Sequence, residues 1–259
     1  ERVLGVDASY NLRYGDFKAR ISGYYTRIYD QSKVISYYDD VAATFTNFAM
    51  SGIDKVHFGL EAAVSIPIYH TLALNGAVSW GQYTYDSNPY YLQTQDNSGD
   101  IVSDGYVYWK DFRVESTPQT AVNVGLSWRS NNNIYLSADF NYYNNMYLSM
   151  SPIYRTDAVI TGGMAPGDIE HLRRQEKFDS AYTLNASIGK NWYIHRKYTL
   201  GFSLDVKNIL NNQDIKTGGY EQTRLSKNTE TTVTTYQAFD SKYFYMFGTT
   251  YYLNLYFRF

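Results

Sequence analysis

The sequence predicts an all-β chain built as a transmembrane antiparallel β-barrel. Three observations predict it: polarity alternates residue by residue through nine long segments, the connections between them are short and long by turns, and tyrosine is very abundant. Alternation with period two marks a strand whose two faces meet different surroundings. The aromatic share of 18%, with 29 Tyr among 259 residues, sits beside a mean hydropathy of −0.44. Half-polar rings suit a water–lipid boundary, and a barrel that alternates lipid-facing and lumen-facing residues has low average hydropathy.

Composition excludes several other classes. No run of 18 apolar residues exists, which rules out a transmembrane helix. The net charge of −2 and the absence of a basic run give no nucleic-acid footprint. The chain has no Cys, so neither a disulfide framework nor a thiolate metal site is available.

The segments follow in order. The first runs from Leu4 to Tyr14, with Leu4, Val6, Ala8, Tyr10 and Leu12 opposite Asp7, Ser9, Asn11 and Arg13. The second sets Phe17, Ala19, Ile21 and Tyr25 against Lys18, Arg20, Ser22 and Tyr24. The third has Val56, Phe58, Leu60, Ala62, Val64 and Ile66 opposite His57, Gly59, Glu61, Ala63 and Ser65, and Pro67 closes it. The fourth places Leu72, Leu74, Val78 and Trp80 against Asn75, Ala77 and Ser79. In the fifth, Val122, Val124, Leu126 and Trp128 oppose Asn123, Gly125 and Ser127. The sixth opposes Leu136, Ala138, Phe140 and Tyr142 to Ser137, Asp139 and Asn141. The seventh carries Leu184, Ala186 and Ile188. The eighth sets Leu200, Phe202, Leu204 and Val206 against Ser203, Asp205 and Lys207. The ninth sets Tyr251, Leu253, Leu255, Phe257 and Phe259 against Tyr252, Asn254, Tyr256 and Arg258. A tilted transmembrane strand needs about 9–11 residues, whereas soluble strands average about 5–6.

Turn lengths give the orientation. Short turns are expected at Gly15-Asp16, Ile68 to Thr71, Ser130 to Asn133 and Ile194 to Lys197. Connections of roughly 25–35 residues, such as Asp86 to Ser116 and Met150 to Ser180, are expected after the second, fourth, sixth and eighth segments. Short periplasmic turns and long extracellular loops are the plan of outer-membrane barrels. On that plan the first strand starts at the outer rim and the strand count is odd. The expectation is therefore that further strands lie upstream.

Three stretches resemble TonB-dependent transporters, particularly the starch-utilisation-type importers of Bacteroidetes. LDVKNILNNQDIKTGGYEQTR (Leu204 to Arg224) resembles their penultimate strand and its exit. KYFYMFGTTYYLNLYFRF (Lys242 to Phe259) resembles their last strand, with Phe257 and Phe259 as the C-terminal assembly signal. TNFAMSGIDKVHFGLEAAV (Thr46 to Val64) is similar to their loop-to-strand entry. The resemblance implies nine C-terminal strands of a barrel of about 22, a plug domain, a TonB-engaging box and a surface lipoprotein lid. It implies active import of an oligosaccharide or peptide. A barrel that only displays loops to partner proteins is the alternative.

No catalytic motif is present, and neither enzymatic activity nor a cofactor is expected. His57, His70, His171 and His195 lie far apart in sequence, and a charged run from Asp168 to Asp179 suggests a short loop helix. Asp39-Asp40 and Asp96 to Asp100 carry oxygen ligands in clusters without the distal Glu of a calcium loop. No metal site is assigned. The ligand-contact candidates are the loop aromatics Tyr90, Tyr91, Tyr106, Tyr108 and Trp109, whose rings can stack on sugar faces or peptide side chains. The charges Asp7, Arg13, Lys18, Arg20, Glu61, Asp139, Asp205, Lys207 and Arg258 fall on the polar, lumen-facing side of the alternation.

Overall fold

Nine strands pair edge to edge in one antiparallel meander. A computed structural model describes residues 1–40, 42–161, 166–195, 197–228 and 235–259. The elements are β1 (Arg2–Tyr14), β2 (Phe17–Asp39), β3 (Thr44–Tyr69), β4 (Leu72–Tyr85), β5 (Tyr90–Gln95), β6 (Ile101–Tyr106), β7 (Thr120–Arg129) and β8 (Ile134–Asn144). A 3-10 turn (Pro152–Arg155) and two helices, α1 (Asp157–Thr161) and α2 (Pro166–Arg173), precede β9 (Ala181–Ile194) and β10 (Tyr198–Lys207). The short strands β11 (Lys216–Tyr220), β12 (Leu225–Asn228), β13 (Thr235–Ala238) and β14 (Lys242–Tyr245) lead to β15 (Thr250–Arg258). The path is β1-β2-β3-β4-β7-β8-β9-β10-β15, with β5 paired to β3 and β6 to β5 to make eleven strands. It does not close: β1 and β15 each keep one free edge.

Register decides which side chains share a face, because a one-residue slip would turn a strand over. Here every pairing keeps the apolar sets together. Leu12, Ala19, Val64, Gly76, Val124, Phe140 and Leu184 form one row across seven strands. Tyr10, Ile21, Ala62, Val78, Val122, Tyr142 and Tyr182 form the next. Leu204 continues the face by pairing with both Ile188 and Leu253. Arg27, opposite Leu4 and Val56, Gln82, opposite Phe58, and Lys190, opposite Phe202, interrupt this side. The face is open: Val6 is 65% exposed, Leu60 54% and Leu255 70%.

The other face is polar and cross-linked. Ser65 donates to Asn75, which donates to Ser127; Asn123 donates to Asn141, and Ser137 bonds Ser187. Several tyrosines pair with glycine across strands: Tyr24 with Gly59, Tyr135 with Gly189, Tyr256 with Gly201. A Cβ at Gly59 would stand 2.5 Å from the carbonyl oxygen of Trp80, so only glycine lets these two backbones and the Tyr24 ring approach.

One expectation is corrected. The long connection after the second segment is strand: β2 and β3 run for 23 and 26 residues, with turn residues Asp40, Ala42 and Ala43 between them. Register shifts interrupt both strands, between Ile28 and Gln31 in β2 and between Met50 and Ile53 in β3. Asp30 (φ 55°) and Gly52 (φ 72°) take up the extra residue. Each bulge reverses the alternation beyond it. Past the bulges Val34 and Tyr38 are exposed, while Phe48 and Met50 are buried. The remaining long connections stand as expected, between β4 and β7, β8 and β9, and β10 and β15. They carry the short elements named above. The helix expected over the charged run starts earlier, at Pro166, and stops at Arg173. Val41, residues 162–165 of the third connection, Arg196 of the last short turn and residues 229–234 of the fourth connection lie outside the described residues.

Candidate functional site

The long connections fold back over the extended β2–β3 hairpin and make a second core at the loop end of the sheet. Phe48, Met50 and Ile53 of β3 pack with Tyr85, Tyr91, Val107, Trp109, Met150, Ile153, Tyr154, Val159 and Leu172. Phe48 stacks on Tyr91 with ring centroids 4.6 Å apart, and Trp109 tilts over Tyr85 at 4.8 Å. A buried ion pair ties the cap across 66 residues of sequence: Arg155 donates to both Glu221 oxygens, at 2.5 and 2.9 Å. Ser151 N also donates to Glu221 at 2.8 Å. At the cap edge Arg224 bonds Asp40 near the tip of the β2–β3 hairpin. Tyr154 donates to the Arg224 carbonyl at 2.7 Å, and burial pushes its phenol up to about 12.

The five loop aromatics divide in two. Tyr91 and Trp109 are 1% and 2% exposed and form the centre of the cap core. Tyr90, Tyr106 and Tyr108 are exposed. Tyr90 and Tyr106 are cross-strand partners in the β5–β6 hairpin, edge to face at 5.7 Å. Tyr90 donates to Asp104 at 2.6 Å, and that bond raises its phenol pKa, so the ring stays neutral at physiological pH. Asp157 accepts the Tyr106 backbone N–H at 2.9 Å and raises the Tyr108 phenol pKa through a hydrogen bond. Three rings with two carboxylates beside them can stack on a sugar face and accept from its hydroxyls. Inward of this hairpin, Tyr37, Phe48, Tyr91, Gln93, Ser103 and Thr156 line a cavity of about 230 Å³. Sequence reasoning missed this cavity, because its lining comes from residues read as connections between strands.

The buried members make a testable distinction. Trp109→Ala should destabilise the cap by about 3–5 kcal/mol, as large-to-small changes in packed cores do. Tyr106→Ala should leave stability within about 0.5 kcal/mol. Limited proteolysis of the 86–119 connection reads both.

The other candidates scatter. His57 lies on the polar face against Tyr83, His70 and His195 sit in the short turns at positive φ, and the side chain of His171 is outside the described residues. Asp39 accepts from the Ala42 N–H and from Gln93, and Asp96 accepts from Asn47. Among the described residues no three His, Asp or Glu side chains converge as a metal site would require. Phe257 stacks on Tyr198 at 5.8 Å, and Phe259 is 94% exposed at the end of the sheet.

The chain matches no known family model, no curated protein and no solved structure.

Proposed function

We propose that this sheet is part of the wall of a closed barrel spanning a bacterial outer membrane, and that the barrel imports a nutrient. The observation that carries the reading is the mostly apolar face, exposed across nine neighbouring strands and backed by a face of amides, hydroxyls and charges. Water-soluble monomers rarely expose contiguous apolar patches beyond a few hundred Å². Hydrocarbon makes the same surface favourable, and closure removes the two free strand edges, which lipid cannot satisfy.

Ring placement supports this reading. On the apolar face Tyr142, Tyr182 and Tyr251 stand toward the loop ends of their strands, while Tyr25, Phe58 and Trp80 lie nearer the middle of theirs. Tyr14, Phe17, Trp128, Trp192, Tyr198 and Phe257 stand toward the turn ends. Aliphatic side chains dominate between them, interrupted by Tyr10, Phe140 and Phe202. Two aromatic girdles flanking an apolar band are characteristic of transmembrane barrels.

Within this reading the importer is TonB-dependent and of the starch-utilisation type, as the stretches Thr46 to Val64, Leu204 to Arg224 and Lys242 to Phe259 suggest. Its substrate is an oligosaccharide or peptide, and its partners are a plug, TonB and a surface lipoprotein lid. The cap, with Tyr90, Tyr106 and Tyr108 outward, is the surface the substrate or the lid meets first. The test is uptake of labelled oligosaccharides and peptides by cells carrying the full-length protein. Accumulation that collapses when the proton-motive force is dissipated supports import. A membrane-inserted protein that changes no uptake would place it among barrels that only display loops.

A further inference from the structure

On the polar face three cations stand together at the turn end of β1 and β2. Arg13 is the direct cross-strand partner of Lys18, and Arg20 lies two residues further along, opposite Asn11. Like charges placed directly opposite repel. The six ion pairs among the described residues include none of the three, although Arg2, Arg27, Arg155, Arg174, Lys216 and Arg224 all find carboxylates. Among the described residues, the hydrogen bond from Arg20 Nε to Ser22, at 3.0 Å, is the one side-chain bond any of them makes. The nearest acidic groups by register are Asp16 in the turn and Glu61 opposite Ser22, and neither closes an ion pair with the three.

The sheet beside these cations is hollowed. Arg20 continues across the strands as Ala63, Ala77 and Asn123, so two methyl groups form a floor between a guanidinium and an amide. Two adjoining recesses share that floor. One, of about 390 Å³, holds Arg13, Lys18, Arg20, Asn75 and Asn123. The other, of about 310 Å³, runs from Arg20 and Glu61 to Asn141 and Tyr143. Together they make a trough with cations at one end, the Glu61 carboxylate and amides along it, and an aromatic ring at the far end.

We propose that this trough binds an acidic oligosaccharide, its carboxylate or sulfate groups on Arg13, Lys18 and Arg20 and a sugar ring against Tyr143. Guanidinium groups hold such planar or tetrahedral anions through paired N–H donors. Amides serve the hydroxyls, and an aromatic face serves the C–H side of a pyranose, which favours a saccharide over an acidic peptide. The proposal rests on this face lining the barrel interior, and it narrows the imported nutrient to an anionic one.

The test is calorimetric titration of the detergent-solubilised full-length protein with oligogalacturonate, a neutral galactan oligomer of equal length, and hexaglutamate. Oligogalacturonate should bind, with an affinity that falls as salt rises. The triple variant Arg13→Gln, Lys18→Gln, Arg20→Gln should weaken it at least about tenfold, since it removes every charged donor at that end of the trough. The same variant removes repulsion across β1 and β2, so its thermal stability should hold or rise, while Lys207→Gln on the same face should change nothing. Equal binding of the neutral oligomer, equal binding of hexaglutamate, or wild-type affinity in the triple variant would overturn the proposal. So would silence toward all three ligands, the result expected if the protein's own carboxylates fill the trough. Intact binding with no uptake sinks the import reading and leaves this one standing.

Discussion

Leu60→Lys should cost about 2–4 kcal/mol of folding stability in a bilayer, the penalty for a cation on the lipid side near mid-membrane. Leu60 is 54% exposed and lies between Gly23 and Trp80 in the register, well inside the apolar band of β3. Packing alone predicts a much smaller loss, because a half-exposed leucine has little to lose to water. The contrast is Ser79→Lys, one strand away on the polar face and directly opposite Glu61, which should fall within about 0.5 kcal/mol of the parent. Reversible urea unfolding in phospholipid vesicles reads both. Equal tolerance at the two positions would contradict the assignment of faces.

Glu221→Ala should be as damaging, for an unrelated reason. It strands the guanidinium of Arg155, whose side chain is 1% exposed, in the cap core. Arg155 would keep the Ser151 carbonyl at 3.1 Å and the Phe112 ring at 5.4 Å, too little to replace a bidentate carboxylate. Breaking one partner of a buried pair costs about 3–5 kcal/mol, whereas replacing both with apolar groups is often neutral. Arg155→Met combined with Glu221→Leu should therefore restore most of what Glu221→Ala loses. Hydrogen exchange at residues 150–156 and 216–221 measures this, because that pair joins the two connections. A double variant as unstable as the single would mean that the pair itself, and not the stranded charge, holds the cap.

The nine-strand meander was legible because its lower halves alternate without interruption, as Val56 to Ile66 does. Between Thr26 and Lys55 the same two strands escaped notice. The bulges at Asp30 and Gly52 reverse the alternation, and beyond them both faces are partly apolar: Val34 and Tyr38 outward, Ile35 and Tyr37 against the cap core. A period-two test fails on such a segment although the backbone is strand throughout. The loop aromatics were found as a group and not sorted. Tyr90 and Tyr91 are neighbours in sequence, and only the pairing of Tyr91 with Met50 sends one ring inward and leaves the other in water. The Arg155–Glu221 pair and the Ala63–Ala77 floor depend on residues brought together from distant strands and loops, and nothing local to either residue announces them.

The central claim is that alternate side chains along these strands meet hydrocarbon. The chain contains no cysteine, so single cysteines can be placed without a background. Spin labels at each position from Leu60 to Ile66, in the protein reconstituted into lipid vesicles, can be tested for collision with dissolved oxygen and with a water-soluble nickel complex. Labels at Leu60, Ala62, Val64 and Ile66 should favour oxygen, and those at Glu61, Ala63 and Ser65 should favour nickel. A flat profile with no two-residue period, or the same protein folded and monodisperse in buffer without detergent, would contradict it.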